Sequence, residues 1–219
     1  MAHYQIRKYR DEDYETVREL YSTGFGEHLN AVCLQTLRQP WAQFALVGVF
    51  CVLLASSGSF LLSILGLGLA LLAGCEGVWF LFGQGIQLGL REDLLDIRKS
   101  YMRGEASCFW VAESGERIVG TVAILPAKDE AGSWELKRIS VRRAHRGRGM
   151  AKALCRTALD FVAAHGVENV VLFTSMVQTD AHQLYRSLGF QKVEEFVWPS
   201  FPARMIKFMV FKYRYSVSH

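Results

Sequence analysis

Apolar and polar positions change rhythm several times along the chain. Residues 4–9 alternate with the period of two that marks a half-buried strand. Asp11 then stands where it can cap a helix whose Val17, Leu20 and Tyr21 share one face. From Gln39 to Cys75 no residue is charged, and apolar character resumes beyond Glu76 as far as Arg91. Small, turn-forming residues interrupt this stretch at 55–59, so it is predicted to form two helices, roughly 41–56 and 59–83.

Residues 92–102 return to helical spacing, with Leu94, Leu95, Ile97 and Tyr101 apolar. The period then shortens to two. Strands are predicted over 108–113 and 117–125 around a turn at 114–116, and over 134–141, where Leu136, Ile139 and Val141 are apolar. A helix follows over 149–165, stopped by Gly166, then a buried strand at 169–174. A helix at 179–188 ends at Gly189, and strands are predicted at 192–197 and 205–215. This order predicts an α/β fold, one mixed sheet with helices on both faces. Three stretches result: 1–37, the opening strand and helix; 38–90, an apolar hairpin; and 91–219, the remainder.

Composition changes one point. Hydrophobic residues make up 51% of the 219 positions, and mean hydropathy is +0.13. These values fit a soluble domain joined to a short apolar segment. The rest of the chain is too small to cover a buried hairpin, so the segment is assigned to a lipid bilayer. Trp41 and Trp79 near its ends suit the bilayer interface. Basic residues flank both ends, among them Arg10, Arg18 and Arg38 before it and Arg91, Arg98 and Lys99 after it. The positive-inside rule puts both flanks in the cytosol; a hairpin with a luminal catalytic face stays open. So does whether the short first helix spans or re-enters. The opening residues are too polar for a cleavable signal. The net charge of +4 suits anionic ligands or a membrane surface, and no Lys/Arg run implies nucleic acid. Five cysteines (Cys33, Cys51, Cys75, Cys108 and Cys155) show no CxxC or Cys/His spacing. They are read as reduced thiols, with no metal site.

The segment that carries chemistry is 136–154, LKRISVRRAHRGRGMAKAL. A strand enters a glycine-rich basic loop that opens a helix. Glycines let backbone N–H groups turn toward a ligand, and the helix N-terminus adds its positive end. Arg146, Arg148 and Lys152 add formal charge, so a pyrophosphate is the natural occupant. The spacing Arg146-x-x-Gly149-x-Ala151 resembles the signature of the GCN5-related N-acetyltransferases (GNAT). Residues 6–13, IRKYRDED, look like that family's first strand and cap, and 181–190, AHQLYRSLGF, like its late signature. With its apolar insert, and with 96–101 (DIRKSY) and 107–114 (SCFWVAES), the chain is similar to the camello-like N-acetyltransferase 8 group.

The resemblance implies a mixed-sheet GNAT fold with an inserted transmembrane helical hairpin, and acetyl-CoA as co-substrate. It implies an endoplasmic-reticulum membrane enzyme that acetylates the α-amino group of cysteine S-conjugates. Acetylation of protein lysines is the alternative, and a non-catalytic membrane interaction module is a third reading. It assigns the coenzyme pyrophosphate to the amides of Arg146, Gly147, Arg148, Gly149, Met150 and Ala151, with Lys152 adding charge. Ile139, Ser140 and Val141 would pair with the pantetheine arm. Gln178 stands where many relatives carry a coenzyme-binding Asn. Tyr185 is implied as general acid. Glu135, eleven positions before Arg146, matches the basic carboxylate of histone-acetylating relatives; a surface Glu is the competing reading. Arg138, Arg204 and Lys207 are candidates to hold an acceptor carboxylate. His145 and His182 are read as structural or exposed, and Cys108 and Cys155 as non-nucleophilic. A lipid bilayer is an expected partner, and a homo-oligomer is left open.

Overall fold

The period-two segments become seven strands in the computed structural model, which describes residues 4–217. They are β1 (Gln5–Lys8), β2 (Cys108–Ser114), β3 (Arg117–Pro126), β4 (Ser133–Val141), β5 (Asn169–Ser175), β6 (Gln191–Val197) and β7 (Met209–Ser216). One sheet takes them in the order β1-β2-β3-β4-β5-β7-β6. The β4–β5 pair is parallel, and the others are antiparallel. The helices are α1 (Tyr14–Gly26), α2 (Leu29–Leu37), α3 (Pro40–Ser57), α4 (Phe60–Arg91), α5 (Ile97–Tyr101), α6 (Met150–Ala164), α7 (Thr179–Ser187) and α8 (Phe201–Met205).

Alternation along β2 generates two cores. Trp110 and Ala112 join Leu154, Cys155, Ala158 and Val162 of α6. Phe109 and Val111 join Val17 of α1, Ile86 and Leu90 of α4, and Ile97 and Tyr101 of α5. Full burial of one such side chain stabilises by about 1.5–3 kcal/mol, so neither face can lose its helices cheaply.

The apolar stretch forms a hairpin of α3 and α4. Gly58, at φ 59°, closes α3 in the left-handed conformation, and the Ser59 side chain caps Leu62 N–H of α4. Both helices are long and apolar enough to cross a membrane, yet only 6% of either apolar window is buried. A soluble core helix would be mostly covered.

The structure differs from the sequence expectation in five places. The second apolar helix continues past 83 to Arg91, because Ile86 and Leu90 enter the core. Arg18 Nη1 also donates to the Leu90 and Leu94 carbonyls, both at 2.7 Å. The helix expected over 92–102 therefore shrinks to α5, capped where Asp96 accepts from Lys99 N–H at 2.8 Å. The unpredicted α2 buries Val32 and Cys33, and the unpredicted α8 delays the last strand to Met209. Asp13, not Asp11, organises the first turn. It accepts Arg10 N–H at 2.9 Å and both arms of the Arg7 guanidinium at 2.7 and 2.8 Å.

Candidate active site

The site begins with a bulge in β4. Thr121 pairs with Ser140 and Ala123 with Lys137, leaving Val122 opposite both Arg138 and Ile139. Arg138 takes a φ of 56° there, and Thr121 Oγ1 fixes it by donating to the Arg138 carbonyl at 2.7 Å. A bulge bends its strand and re-aims the side chains beyond it. β4 pairs with β5 only over Ser133, Trp134 and Glu135. Beyond Glu135, ahead of the bulge, the pairing with β5 stops, and residues 137–141 of β4 are left with an unpaired strand edge on that side.

The β4–α6 loop adds a cradle for an anion. Gly147 and Gly149 have φ of 74° and 77°, which a side chain would strain. Among the described residues, no acceptor meets the six consecutive backbone N–H groups from Gly147 to Lys152. They surround the positive end of α6. Beside them, a cleft of about 300 Å³ is lined by Leu20 and Gly24 of α1, by Glu27 just beyond it, and by Ser140, Val141 and Arg143.

The loop's cations divide into two sets. Arg142 pairs with Glu19 at 3.0 Å. Arg146 donates from Nε to the Val141 carbonyl at 2.9 Å and pairs with Glu27 at 2.6 Å. The Arg146 N–H is also taken, by the Arg143 carbonyl at 3.3 Å. Arg146 thus clasps the loop to α1 and β4. The expectation that its amide faces the pyrophosphate is corrected: the free amides start at Gly147. Arg143, Arg148 and Lys152 have no ion-pair partner among the described residues.

Tyr185, on α7, lies buried with its ring 5.8 Å from Phe190 and 6.0 Å from Tyr213. Burial raises its hydroxyl pKa, so the phenol stays protonated. His182 braces the same wall. Its Nε2 meets the Ser175 carbonyl at 3.1 Å, so that nitrogen carries the hydrogen. Its Nδ1 therefore accepts from Tyr213 Oη at 2.9 Å. Burial lowers the His182 pKa and favours this neutral form. Gln178 turns its amide oxygen inward, toward Thr174 Oγ1, Ser175 N–H and Ser175 Oγ at 3.0–3.2 Å. Only its NH₂ group remains for a ligand. Cys155 is pushed up to about 12 by burial, and burial raises Cys108 as well; both stay thiols.

Glu135 and Lys137 share the β4 face opposite Trp134 and Leu136, which are buried with α6. Their charged groups approach to 3.5 Å. Burial raises the Glu135 pKa, against the pull of Lys137. Ser140 donates to the Leu20 carbonyl at 3.2 Å, while Ile139 packs on the α6 side. Arg138 is bound to Asp93, with Nε–Oδ2 at 2.9 Å, and stacks 4.6 Å from the Tyr21 ring. Tyr101 Oη donates to the same carboxylate. Burial works against both charges. The pairing outweighs it, lowering the Asp93 pKa and raising that of Arg138. Arg138 is therefore already neutralised, unlike the free carboxylate ligand expected of it. Arg204 and Lys207 are exposed on and just beyond α8, at the base of the hairpin. Sequence reasoning missed Lys137 and Asp93. The first was signalled by its place two residues from Glu135; the second had no local signal.

A mixed sheet that splays beside a glycine-rich anion cradle defines the architecture of an acyl-CoA-dependent acetyltransferase. The acetyltransferase (GNAT) family matches residues 79–190. The probable N-acetyltransferase camello of Xenopus tropicalis is 39% identical over 99% of both chains. N-acetyltransferase 8 of Rattus norvegicus is 42% identical over 89% of both. N-acetyltransferase 8B of Homo sapiens is 43% identical over 88% of this chain and 86% of its own. A GNAT-family acetyltransferase structure from Staphylococcus aureus Mu50 shares the fold, with a TM-score of 0.61 at 16% identity, covering 99% of this chain and 100% of that one. The chain belongs to the GNAT family, among the camello-like N-acetyltransferase 8 proteins. It is an N-acetyltransferase whose acetyl donor is acetyl-CoA. The unpaired amides of residues 147–152 and the free Arg143, Arg148 and Lys152 suit that donor's pyrophosphate. Among the described residues, no cluster of three or more His, Cys, Asp or Glu side chains could hold a metal.

Proposed function

We propose that this enzyme acetylates the α-amino group of cysteine S-conjugates, from the membrane of the endoplasmic reticulum with its catalytic face in the cytosol. The observation that carries the substrate choice is the opposite-charge pair Glu135–Lys137, 3.5 Å apart on one face of β4. An α-amino acid presents an ammonium and a carboxylate at matching separation. Glu135 takes the ammonium proton, and Lys137 holds the carboxylate. A lysine side chain in a protein offers no such carboxylate. The apolar hairpin supports the thioether part: a hydrophobic conjugate partitions toward the bilayer that α3 and α4 would occupy.

Acetyl-CoA supplies an activated thioester carbonyl. The strand edge at Ile139, Ser140 and Val141 aligns the pantetheine arm, and a backbone N–H there polarises the carbonyl. The amides from Gly147 to Lys152 hold the pyrophosphate, and the Gln178 NH₂ is left for the coenzyme arm. Tyr185 gives its proton to the departing thiolate.

The test compares S-benzyl-cysteine, its carboxamide and a lysine peptide as acceptors, with wild type and Lys137→Met. Wild type should prefer S-benzyl-cysteine. Lys137→Met should raise its KM about tenfold, as expected for one lost charge-assisted contact, and leave the carboxamide's KM unchanged. Equal effects on both acceptors would remove the carboxylate role of Lys137. Turnover of the peptide alone would move the function to protein lysines.

A further inference from the structure

The β6–β7 connection, residues 198–208, is neither a simple turn nor part of the cleft just described. Trp198, Phe201 and Met205 are exposed there, Phe201 by 76%. Arg204 and Lys207 project among them, also exposed. A soluble surface rarely gathers large apolar side chains in this way.

Its position explains it. Trp41 Nε1 donates to the Met205 carbonyl at 3.0 Å. Gln35 Nε2 donates to the Ile206 carbonyl at 3.3 Å, and the Phe208 ring lies 6.2 Å from Phe82 of α4. Two contacts therefore pin the connection to the hairpin, through Trp41 of α3 and Phe82 of α4, and a third ties it to α2 just before Trp41. The level of Trp41 can be located along the hairpin. Residues 42–57 of α3 rise about 24 Å, and residues 60–78 of α4 rise about 28 Å. Both approach the roughly 30 Å of a hydrocarbon core. Trp41 and Trp79 thus mark one boundary, where indoles favour the headgroup layer.

We infer that the β6–β7 connection is a third membrane contact, made by the catalytic domain itself. Trp198, Phe201 and Met205 enter the headgroup–acyl boundary, and Arg204 and Lys207 bind the phosphates of anionic lipids. This rests on the reading of α3 and α4 as membrane-embedded. It gives Arg204 and Lys207 a lipid partner in place of an acceptor carboxylate. It also holds the domain at a fixed tilt, with β7 and the sheet edge near the bilayer.

The test uses full-length protein in phosphatidylcholine vesicles, with and without phosphatidylserine, and lipids brominated on the acyl chain near the headgroup. Of the five tryptophans, Trp110 and Trp134 are buried in the domain, so Trp41, Trp79 and Trp198 report lipid contact. Trp198→Phe should lose part of the bromolipid quenching seen in wild type. Arg204→Ala with Lys207→Ala should abolish any gain in Trp198 quenching on adding phosphatidylserine. A rise in Tm on adding acetyl-CoA checks that each variant is folded. Quenching that is strong in wild type and undiminished in Trp198→Phe would overturn the third contact while keeping the hairpin in the bilayer. Absence of quenching in wild type would overturn both.

Discussion

At the scale of single residues, the proposed site turns on two protons that burial holds in the same way but that catalysis must move in opposite directions. Burial keeps Tyr185 protonated, and the same burial makes Glu135 reluctant to lose its proton. Tyr185→Phe keeps the ring contacts with Phe190 and Tyr213 and removes only the proton. It should lower kcat about 100-fold and leave acetyl-CoA affinity unchanged by calorimetry. A loss of affinity would make Tyr185 a binding group instead. Glu135, as the proposed base, is expected to set the pH response. As base it must be ionised, so kcat falls as pH drops through its pKa. Burial places that limb above the roughly 4.3 of an exposed glutamate. Lys137→Met withdraws the cation that opposes the burial effect, so the limb should move to higher pH; Glu135→Gln should erase it and lower kcat. A limb that survives Glu135→Gln would assign the base elsewhere. Tyr185 could be singled out from a contiguous motif, and Glu135 only by its spacing from Arg146. The bond between Arg138 and Asp93 could not, because 45 positions separate the partners and no local rule joins them.

At the scale of elements, the bulge in β4 was visible without being understood. The inward apolar positions Leu136, Ile139 and Val141 are three and two apart, and a regular strand permits only even spacing. The extra residue that restores the phase is Arg138. The short α2 escaped notice because its apolar residues run straight into the charge-free stretch. The short α8 escaped because its apolar residues face outward. The Asp93–Arg138 pair ties the turn after α4 to this bulge, so it couples the hairpin's domain end to the strand that frames the cleft. Asp93→Asn leaves a buried guanidinium without a counter-charge, and should cost about 3–5 kcal/mol in denaturant unfolding. Adding Arg138→Met should recover part of that loss, because the penalty comes from the stranded charge. No recovery in the double variant would mean that Arg138 is held for the bulge conformation itself.

At the scale of the whole molecule, composition drew the boundary of the apolar segment at residue 90, but α4 runs through it to Arg91. Composition marks where lipid-like character ends; it is blind to a helix that continues into a protein core. The 32 residues of α4 measure about 48 Å. A bilayer core is about 30 Å thick, so α4 is longer than a span requires. The last turns bring Ile86 and Leu90 against Val17, Ile97 and Phe109. The exposed apolar span and the catalytic core therefore share one continuous helix, with no linker between them. Two deletions separate the two roles. Excising 41–79 with a short Gly/Ser bridge removes the exposed apolar surface and keeps the buried end of α4. That protein should be soluble without detergent, and acetyl-CoA should still raise its Tm. Excising 38–90 removes Ile86 and Leu90 as well. At about 2–5 kcal/mol for each large buried side chain lost, this consumes most of a domain's usual 5–15 kcal/mol, and cooperative unfolding should disappear. If both deletions fold equally well, the end of α4 is dispensable and the hairpin is a detachable anchor. If neither folds, the two apolar helices stabilise the catalytic domain along their whole length.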